Sequence, residues 1–131
     1  MNTDTYLHNE FLGQLGSTWT DAGQARKVRI CPNVVRVEDT TNKTDLLLVY
    51  GKNGEGEFQE DLNSMIVNQV GYDILAFLTQ HSALSRFQER FLELFGSQPD
   101  AGRVKLATLP STSYNEELRA YAAQWRVRVR A

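Results

Sequence analysis

The chain has 131 residues, 41% of them hydrophobic and 23% charged, with a formal net charge of −2 and one cysteine. That length suits one domain, residues 1–131, able to bury roughly two-thirds of its unfolded surface, and the composition excludes a disordered chain and argues against a general polyanion binder. A lone thiol excludes an internal disulfide; the polar start has no apolar h-region, and no apolar run of about 18 residues occurs. The protein is therefore expected to be cytoplasmic or virion-associated, not secreted, and to make no membrane contact.

Asp4 is placed to cap a short helix whose stripe is Leu7, Phe11, Leu12 and Leu15, with Gly16 as its stop. Residues 17–24 read as a loop anchored by Trp19. Residues 27–31 alternate with period two, Pro32 interrupts at a bulge or edge, and residues 34–38 resume the alternation. Residues 39–44 form a polar turn, and their Asn42-Lys43-Thr44 sequon is no more than loop in a chain without a secretory signal. Residues 46–50 are continuously apolar, as a central strand buried on both faces would be. Residues 51–56 read as a tight connection, with Asn53-Gly54 supplying its positive φ angles.

Residues 59–95 carry apolar side chains at Leu62, Ile66, Val70, Ile74, Phe77, Leu78, Leu84, Phe87, Phe91, Leu94 and Phe95, in steps of three and four. The spacing predicts a helix over 59–79, a kink or turn at Gln80-His81-Ser82, and a helix over 83–95 capped by Ser82 and stopped by Gly96 and Pro99. Gly71 weakens the first helix without ending it, and Phe77, Phe87 and Phe91 should be buried against a sheet. Residues 103–109 read as a strand and 110–115 as a polar turn. The closing segment sets Tyr121, Ala123, Trp125, Val127 and Val129 against Ala120, Ala122, Gln124, Arg126, Arg128 and Arg130. It is a strand from Trp125 onward, while a helix competes for its start. The sum is an α+β domain: a mainly antiparallel sheet, a long kinked or split helix across one face, and a short N-terminal helix.

Gly51, Gly54 and Gly56 follow a strand, where phosphate loops sit, but match neither dinucleotide nor P-loop spacing. Glu55, Glu57, Glu60 and Asp61 crowd the same stretch and would repel a phosphate. Asp45, Glu57 and Gln59 have the order of a Mg²⁺-dependent nuclease core, with Gln where lysine belongs and Lys52 as a stand-in; this is the enzyme alternative. Cys31 with His81, and His8 with His81, carry no motif. No catalytic residue, metal ligand or cofactor is expected. The sharpest charge feature is Arg119, Arg126, Arg128 and Arg130, with no acid after Arg119. Its plain reading is a strand guarded by charge. Its functional reading is a contact surface for polyanion or for an acidic patch on a neighbour, and Glu55, Glu57, Glu60 and Asp61 would be that patch in a head-to-tail ring. On either reading, replacing the three strand arginines should leave monomer stability nearly unchanged.

From residue 83 onward, RFQERFLELFG, GRVKLATL, PSTSYNEELR and AQWRVRVRA resemble the closing portion of small bacteriophage tail-terminator and tail-completion proteins, α+β subunits that assemble as rings at the head–tail junction. The resemblance implies a non-enzymatic, homo-oligomeric structural protein whose partners are copies of itself and other structural proteins, with DNA contact as an option. The arginine face would then line the ring or grip a neighbour. A small regulatory module that binds other proteins is the third alternative.

Overall fold

The computed structural model describes the backbone of residues 2–32, 45–62 and 65–131 and the side chains of 2–32, 45–53 and 68–131. The expected strand at 34–38, the turn at 39–44 and the sequon lie outside the described residues. A helical segment opens the chain: α1 (Thr3–Thr5) runs into a π-helical stretch (Tyr6–Phe11) and a 3-10 turn (Leu12–Leu15). Strands β1 (Thr18–Asp21), β2 (Gln24–Pro32), β3 (Leu46–Leu62) and β4 (Met65–Leu78) follow, then helix α2 (His81–Ser97), β5 (Val104–Asn115) and β6 (Ala120–Arg130). The six strands form one sheet in the order β1-β2-β3-β4-β6-β5. The fold is broadly α+β, but the sheet is mixed, since β2 and β3 pair in parallel while the other neighbours are antiparallel.

The expected helix over 59–79 is a correction. Those residues form a β-hairpin, β3 running through Leu62 and β4 returning from Met65. Residues 66, 70, 74 and 78 are four apart, and four is both close to one helical turn and a multiple of the strand period of two, so that stripe cannot distinguish the two states. Local chemistry separates them: Ile, Val, Tyr and Phe dominate β4, and these side chains favour a pleated, packed surface. Tyr72, Ile74, Ala76 and Leu78 face one core while Phe77 belongs to the opposite one. Gly71 fits a strand through close approach, because a Cβ there would lie 2.9 Å from the Asn53 side chain.

Other boundaries shift for similar reasons. Residues 17–24 form the β1–β2 hairpin rather than a loop, turning through Ala22 and Gly23 at φ 48° and 84°, the left-handed pair a two-residue turn requires. Asn2, not Asp4, caps the first helix, its side-chain oxygen accepting from the Thr5 N–H at 2.8 Å. Gln80 rather than Ser82 precedes α2. Residues 110–115 continue β5 beyond two register shifts. The 46–50 strand, the Gly16 stop, the Trp19 anchor and the alternation of β6 stand as expected.

The main core lies between the sheet and a lid made of α2 and the N-terminal segment. Phe87 and Phe91 from α2 are fully buried against Trp125 of β6, Phe91 stacking on its ring at 4.0 Å. Trp19 closes the same cluster edge-on to Phe87. Two polar clamps lock the lid. Asp21, at the end of β1, is buried and holds both Arg26, itself 2% exposed, and Arg86 of α2. Gln98, just past α2, uses its side-chain amide as a missing strand residue. It accepts from the Val104 N–H at 2.9 Å and donates to the Val104 carbonyl at 3.0 Å, while also binding the Phe95 carbonyl and the Tyr6 hydroxyl.

Candidate functional site

The alternation of β6 puts Trp125, Val127 and Val129 in the core and Arg126, Arg128 and Arg130 on the sheet face opposite α2. That second face is graded. At one end Leu47, Val49, Phe77, Ala120 and Ala122 form a smaller apolar cluster. At the other, Lys105 of β5 pairs in register with Arg128, and Asp73 of β4 with Arg126. Arg126 lies 3.3 Å from Asp73 with its side chain 45% exposed.

The structure separates the arginines that the sequence groups. Arg130 turns back to Asp100 at 2.9 Å, while its carbonyl accepts from Arg103, whose guanidinium lies 4.4 Å over the Tyr6 ring. It therefore stitches the end of β6 to the loop before β5. The expectation that all three arginines can be removed at no cost to the monomer is corrected for Arg130 by this clamp. Arg119 sits in the β5–β6 turn at φ 51°, nine residues and about 30 Å along the strand from Arg128, and takes no part in the basic face. Arg126 and Arg128 remain, both exposed, with Lys105.

The acidic residues fall on β3, Glu55 within its register shift and Glu57, Glu60 and Asp61 beyond it, not at a helix start, because the chain there continues as strand. Their side chains lie outside the described residues. The backbone, however, shows where they are carried. Among the described residues, β2 stops pairing with β3 at Tyr50, and β6 stops pairing with β4 at Gln69. Past those points, among the described residues, β3 and β4 go on pairing with each other out to Leu62 and Met65. Glu60 and Asp61 thus lie on a two-stranded arm past the end of β6, whereas Glu57, opposite Val70, is level with Val129 of β6, and Glu55 falls within the register shift. The same register removes the nuclease arrangement. Using β4 as the ruler, Asp45 and Glu57 stand about 30 Å apart along one strand, whereas carboxylates sharing Mg²⁺ each need contact at about 2 Å.

Beside Arg126 the edge strand β5 bulges between Leu106 and Ser111. Leu109 there is 86% exposed and borders an open cleft of about 250 Å³ with Thr108, Ser111, Gln124 and Arg126. Periodicity offered no signal for this, since Pro110 and the serines read as a turn.

A second concave site lies at the root of the arm, and its residues went unnoticed in the sequence because they are spread over four segments. Asp4, Pro32, Tyr50, Gly51, Lys52 and Tyr72 line a cavity of about 290 Å³. The Tyr72 hydroxyl donates to Asp4 and takes a bond from Thr3 at 2.7 Å. Burial, then the Asp4 contact, pushes its pKa up to about 12. The Tyr50 hydroxyl is 2.9 Å from His8 Nδ1, and burial followed by the Asp4 charge raises its pKa too. His81 packs instead against Tyr121, so the two histidines hold different partners. Cys31 is half-buried against the apolar cluster of the second face. Among the described residues no group of three or more His, Cys, Asp or Glu is arranged to hold a metal, and no helix is long and apolar enough to cross a membrane. Compared with known proteins, the chain matches no family model and no curated protein.

Proposed function

We propose that this protein is a self-assembling structural subunit in which the acidic β3–β4 arm of one copy docks on the Lys105–Arg126–Arg128 face of the next, and that the resulting ring serves at a phage head–tail junction. The arm carries the reading. A two-stranded ribbon is marginal in water by itself, so the β3–β4 tip, which among the described residues pairs with no third strand beyond Asn68, would gain from a surface that covers it. Glu60 and Asp61 on the arm lie past the end of β6 and so apart from Arg126 and Arg128, as a head-to-tail rather than a two-fold contact needs. Exposed Leu109 and its cleft beside Arg126 supply an apolar centre within the charged rim. Other structural proteins would meet the remaining surfaces of such a ring, and DNA would meet the arginine face.

The test is a charge exchange. Glu60→Lys with Asp61→Lys on the arm, and Arg126→Glu with Arg128→Glu on the face, should each reduce the native mass to that of a monomer. Mixing the two variants should recover a complex, since each then carries one altered and complementary surface. A parent that stays monomeric at about 100 µM, weaker than any specific assembly needs, ends the assembly reading. A closed ring with a central channel under the electron microscope supports the junction role, and a simple dimer refutes it.

A further inference from the structure

The cavity at the root of the arm carries charges of both signs, and neither neutralises the other. Asp4 is exposed, and its Oδ1 accepts from Tyr72. Lys52 is exposed on the same rim, and among the described residues no ion pair joins it to Asp4. Two phenols from β3 and β4 line the same cavity: Tyr72 is fully buried and Tyr50 is 8% exposed. We propose that this cavity binds a small zwitterion, a molecule carrying an ammonium and a carboxylate on neighbouring carbons as a free α-amino acid does.

The chemistry selects that class. An ammonium alone is drawn to Asp4 and repelled by Lys52; a carboxylate alone meets the reverse. A ligand bearing both satisfies both walls at once and brings no net charge into the site. Tyr72 stays protonated at neutral pH, because its pKa is about 12, and so donates to Asp4 and aims its carboxylate. Tyr50 shares its hydroxyl with His8 Nδ1 at 2.9 Å and keeps one further hydrogen-bonding position for a ligand. The volume of about 290 Å³ is at the small end for ligand sites and suits an amino acid rather than a nucleotide. No phosphate is favoured, because the Asp4 carboxylate would repel it. This site goes beyond the assembly reading and stands whether or not the chain oligomerises.

The probe is glycine, with methylammonium and acetate as its two halves, followed by NMR on the ring signals of Tyr50 and Tyr72 and the amide of Lys52 at constant ionic strength. Glycine should shift all three saturably, and each half should bind at least roughly five-fold more weakly. Lys52→Gln should weaken glycine by at least the same roughly five-fold factor with an unchanged circular dichroism spectrum, because Lys52 is exposed and holds no packing role. Asp4→Asn should do likewise; if it loosens the N-terminal segment, Lys52→Gln decides the matter alone. Methylammonium or acetate binding as tightly as glycine overturns the proposal. So does a smaller loss in Lys52→Gln, or no saturable shift up to about 100 mM glycine.

Discussion

The two faces of the sheet are built from alternate residues of the same strands, yet they end in different states. On the α2 side, Tyr72, Ile74, Trp125, Val127 and Val129 disappear under a helix and an N-terminal segment that are clamped in place by Asp21 and Gln98. On the other side, neighbours one residue away run from an apolar cluster to Asp73, Arg126 and Arg128, and the sheet then continues into an arm. A lid of fixed helices makes the first face a stability device. The second face, at its charged end, is exposed at Lys105, Arg126 and Arg128. Substitutions should therefore divide by face rather than by chemical severity.

The largest effect belongs to the closed face. Phe87 is fully buried and touches the rings of Trp19, Phe91 and Trp125. Phe87→Ala should cost about 3–5 kcal/mol in urea denaturation, enough to unfold a marginal domain at physiological temperature. A melting temperature within a degree or two of the parent would mean that the lid does not hold the core.

Next comes the Asp21 clamp. Asp21→Ala leaves Arg26 buried without its carboxylate and should cost about 3 kcal/mol, the low end for breaking a buried pair because Arg86 is half-exposed. The hydrogen bond from Arg86, ahead of the charges of Arg86 and Arg26, holds the Asp21 pKa below 3.8 against the opposing effect of burial. A depressed carboxylate contributes stability that is complete above its unfolded pKa and lost as the pH falls toward the folded one. The stability gap between parent and Asp21→Ala should thus be constant near neutrality and narrow below pH 3.8. A gap independent of pH would refute the ion pair and leave only packing.

Gln98→Ala should follow at about 2 kcal/mol, since it strands the buried N–H and carbonyl of Val104 without their partners. Gln98→Glu should cost more than Gln98→Asn, because a carboxylate cannot donate to the Val104 and Phe95 carbonyls. The reverse order, read from thermal melts, would show that the amide donors are dispensable.

Much of the closed face was legible in the sequence, and the reasons are local. The α2 stripe at Leu84, Phe87, Phe91 and Leu94 repeats in steps of three and four with no period-two alternative, and β6 alternates strictly from Gln124 to Arg130. Leu46 to Tyr50 announces a doubly buried strand by its unbroken apolar run. The arm was misread because Ile66, Val70, Ile74 and Leu78 satisfy both periods at once, and the length of the hairpin is fixed by pairing across strands rather than by anything within one segment. The β1 turn was missed because Ala22 adopts a left-handed conformation that its side chain does not advertise. The arginines were legible as an alternating face, but not the Asp100 contact that diverts Arg130, which depends on a loop thirty residues earlier in the chain. The cavity beside Lys52 was invisible for the same reason: Asp4, Tyr50 and Tyr72 meet only in the folded sheet.

The smallest expected effect on stability is also the one that most sharpens the contrast between faces. Arg128 and Arg130 lie two residues apart on one strand, point to the same side, and differ only in surroundings: Arg128 is exposed beside Lys105, whereas Arg130 is part of the Asp100–Arg103 clamp. Arg128→Gln should change monomer stability by about 0–1 kcal/mol, as exposed charge pairs do. Arg130→Gln removes a half-buried pair together with part of the restraint on the loop before β5, and should cost more, about 1–2 kcal/mol. Assembly should respond in the opposite order. Across a desolvated interface the loss of one charge partner costs about 2–5 kcal/mol, so Arg128→Gln should weaken association strongly while Arg130→Gln leaves it close to the parent per folded molecule. Sedimentation and thermal melting of the two variants side by side give four readings. If stability and assembly fall together in both, the second face is an extension of the core and the division between the two sides of this sheet does not hold.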